Sequence, residues 1–146
     1  MKPVRFLLLG CAIALAGVSV ASADDEASWG AGTVARATFT NGVADREPLD
    51  SITEATNDYR TIYFFSELRN LSGETITHRW EHDGQVMAEI PFHVGGSRWR
   101  VWSSKNLEPY WVGEWKVSVI RSDGTVLESK RFHYADSSTV PANPTE

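Results

Sequence analysis

Between residues 33 and 134 apolar and aromatic side chains come in short runs that alternate with polar ones, and turn residues break every run. β-Branched and aromatic types dominate and no 3.6-residue period persists, so the pattern predicts strands rather than helices. Strands are expected at 33–40, 61–68, 75–81, 85–94, 98–103, 114–121 and 125–134. About seven short strands in roughly 100 residues fit an all-β, immunoglobulin-like β-sandwich. The polar stretch 45–58, with Pro48, reads as a long connection holding one helical turn. Residues 24–32 read as a linker, and 135–146, rich in Ser, Thr, Pro and Asn, as a disordered tail.

Register can be argued at the first hairpin. A two-residue loop at Asp83-Gly84 would pair Glu81 with Val86 and Arg79 with Ala88, mixing charged and apolar side chains on one face. A three-residue loop, His82-Asp83-Gly84, pairs Trp80 with Val86, His78 with Ala88 and Ile76 with Ile90, and sorts the faces. Because a one-residue slip exchanges faces, the second register is expected. At the Asp123-Gly124 hairpin Trp115, Val117 and Val119 share a face. Phe132 and Tyr134 reach it only through a bulge, expected within 128–131.

The first 23 residues carry another pattern. Lys2 and Arg5 precede an apolar run from Phe6 to Val20, and Ala21-Ser22-Ala23 stands before Asp24-Asp25-Glu26. A positive start, a short apolar run and a small-x-small site predict a signal peptide cleaved after Ala23, and a periplasmic or secreted protein. A membrane anchor would need roughly 20 apolar residues. Leu8-Leu9-Gly10-Cys11 offers a lipid-attachment site as the rival, but the apolar run continues beyond Cys11. Loss of residues 1–23 removes the single cysteine, and with it any disulfide or thiolate chemistry. It also removes Lys2 and Arg5, leaving 12 of the 14 Lys and Arg against 19 Asp and Glu, a net charge of −7. That balance argues against broad binding of nucleic acid or anionic membrane. No membrane span is expected after signal removal.

Candidate chemistries are sparse. His78 and His82 have the i, i+4 spacing of helical zinc sites, but on a strand they stand about 13 Å apart, at roughly 3.3 Å per residue, too far to share an ion. His78 reads as a core-edge residue beside Trp80, and His82, His93 and His133 as solvated. Ser66, Ser103 and Ser104 read as strand and turn residues, none within a G-x-S-x-G elbow. Glu67, Glu81, Glu89 and Glu114 could pair across strands for acid–base hydrolysis, although solvated faces are the default. No metal, cofactor or catalytic residue is expected.

One segment stands apart: Ser97-Arg98-Trp99-Arg100-Val101-Trp102-Ser103-Ser104-Lys105 crowds three cations and two indoles into an acidic chain. Strand alternation sends Arg98, Arg100 and Trp102 to one side, and an exposed indole between guanidinium groups can stack on a sugar or hold an anion. Arg98, Arg100, Trp102 and Lys105 are therefore the candidate binding residues. The alternative is that both arginines pair with neighbouring-strand carboxylates while Trp102 packs under the loop 106–113.

These motifs carry a resemblance. Asp45-Arg46-Glu47-Pro48, Tyr63-Phe64-Phe65-Ser66-Glu67-Leu68, Thr77-His78-Arg79-Trp80-Glu81 with Asp83-Gly84, Arg98 through Asn106, and Gly113-Glu114-Trp115 make the stretch 34–134 resemble an uncharacterised proteobacterial family, domain of unknown function 2914. The resemblance implies a small envelope-associated β domain, attached in some relatives to membrane segments. It implies no activity, substrate or cofactor and transfers no functional residue. The expectation is a non-catalytic envelope module binding an anionic glycan or other envelope polymer, or a protein partner. A small carboxylate hydrolase is the alternative.

Overall fold

The computed structural model describes residues 31–141. The expected signal peptide with its Ala23 cleavage site and Cys11, residues 24–30 of the linker and 142–146 of the tail lie outside the described residues. Those described form an all-β fold without a helix. In chain order the strands are β1 (Thr33–Thr40), β2 (Val43–Ala44), β3 (Glu47–Pro48), β4 (Glu54–Thr56), β5 (Thr61–Arg69), β6 (Thr75–His82), β7 (Gln85–His93), β8 (Arg98–Asn106), β9 (Gly113–Arg121) and β10 (Val126–Ala135). The seven long strands lie where the alternation puts them. Between residues 41 and 58 the expected helical turn is replaced by three short strands.

One sheet has the order β1-β5-β8, a second β4-β10-β9-β6-β7, and β2 with β3 forms a two-stranded ribbon. The two large sheets share one core: Phe39 and Phe64 of the first lie 5.9 Å from Trp80 and 4.9 Å from His78 of the second, centroid to centroid. Trp80, Trp115, Val117, Val119, Phe132 and Tyr134 are buried with them.

The β6–β7 register corrects the sequence reading. Asp83 and Gly84 both have positive φ, 45° and 84°, and form the two-residue turn with His82 opposite Gln85. This is the primed turn whose twist suits a hairpin. Glu81 faces Val86, and then one extra residue on β7, Met87, shifts the ladder. Trp80 thus faces Ala88, His78 faces Ile90 and Ile76 faces Phe92. The faces do sort, through a bulge inside β7 rather than a longer loop, and Val86 is left half exposed. At the other hairpin the bulge falls at Leu127, between Val126 and Glu128, one residue ahead of the expected window. Ala135 closes β10, and Ser137 donates its N–H to the Asn57 side chain, so the tail departs later than expected.

The sheet edges differ in form. β1 carries a register shift between Val34 and Arg36 and ends in a bridge from Phe39 to Ile52. β4 has three residues. Just beyond β7, Val94 N–H donates to Glu74 O, which makes the pair Thr77–Pro91 a non-hydrogen-bonded one. The ring nitrogen of Pro91 therefore stands at the free edge, where a proline can sit in a sheet.

Candidate functional site

The outer face of the β1-β5-β8 sheet is built on Phe65 and Glu67, both buried although they point away from the shared core. Cross-strand pairing sets Arg36 and Arg100 on either side of Glu67, Arg69 opposite Arg98, and Phe65 opposite Trp102. A carboxylate removed from water costs several kcal/mol unless it is paired and hydrogen-bonded. Three guanidinium groups meet that need. Arg98 donates from Nε and Nη2 at 3.1 Å each, Arg36 from Nη2 at 2.7 Å, and Arg69 adds an ion pair. These partners, Arg98 first, hold the Glu67 carboxyl down to about 2.

The β2–β3 ribbon covers part of this face. Asp50 ties its base to β1, accepting from Thr40 Oγ1 at 2.7 Å and from Asn41 N–H at 2.8 Å. Glu47 then receives Arg36 Nη1 at 2.8 Å and pairs with Arg100, and its acidity is enhanced by Arg36 first and Arg100 after it. The turn of the ribbon is Asp45-Arg46, with φ of 51° and 62°. Neither is glycine, so the turn holds two side chains in the left-handed region, a local strain of the kind found at functional positions. Among the described residues Arg46 makes no ion pair, while its carbonyl accepts from Arg100 at 3.4 Å.

Arg46, Arg98, Trp99, Arg100 and Trp102 line one cleft of about 190 Å³. Trp99 and Trp102 are 37% and 38% exposed, enough to present an indole face to a ligand. Trp99 lies across Gly95, where a Cβ would stand 2.8 Å from the ring, so Gly95 is what lets the indole settle there. Around Glu47, Glu67 and Asp45 stand five guanidinium groups, those of Arg36, Arg46, Arg69, Arg98 and Arg100. The patch is thus cationic within a chain of net charge −5.

The structure brings Arg98, Arg100 and Trp102 together as the alternation requires. Lys105 has the other parity, lies 5.7 Å over the Trp111 ring and is not among the cleft residues. Both arginines do pair with carboxylates, Arg98 with Glu67 on the next strand and Arg100 with Glu47 on the ribbon, whereas Trp102 stays exposed. Sequence reasoning misses Arg46 and Trp99. The ribbon that delivers Arg46 comes from a polar stretch with no strand alternation, and Trp99 has the parity of core residues.

The other candidates resolve differently. Glu81 pairs with Lys116, Glu89 with Arg79 and Glu114 with Arg131. His78 is fully buried rather than at the core edge, with Ser66 Oγ 2.8 Å from Nε2 and Ser103 Oγ 2.9 Å from Nδ1. Burial pushes it down to about 3. Trp80 Nε1–H donates to the same Ser103 hydroxyl at 3.0 Å. His82 stacks on Trp115 at 4.8 Å and contacts the Val112 carbonyl at 2.8 Å, while His93 and His133 are exposed. No three His, Cys, Asp or Glu converge as metal ligands among the described residues.

No curated protein matches the sequence. The strands β6 to β10, with Arg98, Arg100 and Trp102 among them, fall almost wholly within residues 73–134, while Arg46, Glu47 and Glu67 precede that stretch. Over 73–134 the chain matches the family described as Protein of unknown function (DUF2914), the family its motifs resemble.

Proposed function

We propose that this chain is an exported, non-catalytic binding module of the bacterial envelope, periplasmic or secreted, whose immunoglobulin-like sandwich presents an anion-binding cleft on its three-stranded sheet. The observation that carries this reading is the surplus of guanidinium groups around two exposed indoles, in a chain that is acidic elsewhere. Guanidinium groups bind carboxylates, phosphates and sulfates through paired hydrogen bonds, and an indole supplies a stacking face. Export is supported by Lys2 and Arg5, the apolar run after them and the Ala21-Ser22-Ala23 site. The sandwich reading is supported by two largely antiparallel sheets around one core.

The hydrolase reading gains nothing from the geometry, since Glu67 is held ionised and Glu81, Glu89 and Glu114 each face a cation. The test is retention of the purified protein on heparin under a salt gradient. Arg46→Gly removes a cation that makes no ion pair among the described residues and should elute at clearly lower salt than wild type. Lys105→Ala, outside the cleft, should elute as wild type. Equal elution of Arg46→Gly and wild type would reject the cleft as the site.

A further inference from the structure

We infer that the ligand of this cleft is an extended acidic peptide segment that adds as a strand to the free edge of β8. The inference rests on the anion-binding reading and names its partner.

The backbone supplies the first half of the case. Asn70 N–H donates to Ser97 O and Leu107 N–H to Arg60 O, both at 2.8 Å, and the β5–β8 register between them is unbroken. In an antiparallel ladder hydrogen-bonded and non-bonded pairs alternate. The odd-numbered residues of β8 therefore bond to β5, while Arg98, Arg100, Trp102 and Ser104 turn their N–H and C=O groups away from it. Among the described residues no strand lies on that side, and three of these four residues are exposed and Arg100 is half-buried. An unpaired row of backbone donors and acceptors is a template for another strand.

The other edges are closed by a register shift on β1, by brevity on β4 and by Pro91 on β7. β8 has nine residues, no proline and no bulge.

The second half is charge. Residues presenting free backbone groups at this edge also carry the Arg98, Arg100 and Trp102 side chains of the cleft. A strand added there sets its alternate side chains on the same face, directly opposite them. Acidic residues would face the two arginines and an aromatic residue Trp102. Cations at an edge disfavour a second copy of this chain, because antiparallel self-pairing would gather four arginines with no carboxylate from β8 to answer them. They do not repel an acidic segment. A glycan can use the guanidinium groups but not the ladder.

The probe is an end-blocked fluorescent heptapeptide reading Thr-Tyr-Thr-Glu-Thr-Glu-Thr, titrated into the protein. Two further versions carry backbone N-methyl groups, one on tyrosine and both glutamates, the other on the four threonines. Only alternate N–H groups of an added strand reach β8, so one methylated version should bind about tenfold or more weakly and the other like the parent. Parent binding with neither methylation mattering would overturn strand addition. Ser104→Pro removes one outward N–H and no cation, and should weaken the peptide while leaving heparin elution unchanged.

Because the methylated pair uses the unaltered protein, a Ser104→Pro chain that fails to fold does not blunt the test. Heparin retention that depends on Arg46 with no peptide binding would reject the strand and keep the cleft. Loss of both would reject the two readings together. Concentration-dependent dimerisation in sedimentation, abolished by Ser104→Pro, would overturn the peptide in favour of a second copy.

Discussion

His78 and Glu67 are both buried polar groups, and the fold treats their protons in opposite ways. The imidazole is kept neutral between two hydroxyls and two phenyl rings, Phe64 and Phe92, each 4.9 Å away. The carboxylate is kept charged by three arginines. Their effects on stability nevertheless share a sign. His78 is held down to about 3 against an ordinary 6.5, so below about 6.5 the unfolded chain binds a proton that the folded chain refuses. Glu67, held down to about 2, behaves likewise below 4.5. Stability is then complete above pH 6.5 and falls on acidification by about 1.4 kcal/mol per pH unit for each such proton, more steeply below about 4.5. Urea melts from pH 7 to 4 should give that slope, and His78→Gln should flatten the limb between 6.5 and 4.5. An unchanged slope in the variant would place the titration elsewhere.

Arg46 gives a second test at this scale. Relieving a non-glycine residue of a left-handed φ returns about 1–3 kcal/mol, against about 0.5–1 kcal/mol for the added freedom of glycine in the unfolded chain. Arg46→Gly should therefore stabilise the protein by about 1 kcal/mol while it weakens heparin retention. A lower melting temperature would show that the arginine, not the turn, supports the ribbon.

At the level of strands, energy is concentrated on the inner faces. Trp115→Ala should cost roughly 3–5 kcal/mol, read as a lower urea midpoint, because Trp115 is fully buried and packs on Trp111, His82 and Phe132. Trp102→Ala should stay within about 0.5 kcal/mol. This division is legible in the sequence, since alternation in 75–81 and 114–121 marks Trp80 and Trp115 as inward. The register is not. Two uniform pairings compete at Asp83-Gly84, and the protein uses the first at the turn and then, by inserting Met87, moves to a third that keeps the face assignment of the second. Periodicity reports which side chains share a face, but it is silent on where a ladder gains a residue. The same silence explains why the second bulge falls at Leu127. The arginine cluster is half legible: parity puts Arg98, Arg100 and Trp102 on one side. Their partner Glu67 lies 31 residues before Arg98 on β5, and Arg46 arrives on a ribbon that has no alternation to read.

For the molecule as a whole, the arrangement of sheet edges decides what it can join. Interior positions announce themselves by apolar periodicity, while edges follow from strand order, which the alternation leaves open. Pro91 is plain in the sequence, yet only the order β4-β10-β9-β6-β7 makes it an edge residue whose nitrogen faces outward. With the opposite end of that sheet reduced to three residues and β1 bulged, the protein has, among the described residues, a valence of one. It can accept a strand at β8 and offers none in return, so an occupied copy ends a chain of pairings instead of extending it. Pro91→Thr would add a second acceptor edge, and light scattering should then report slow, concentration-dependent growth that wild type lacks. In wild type, Pro91 withholds an N–H from its edge, so a pairing begun at β8 finds no second ladder to continue on among the described residues.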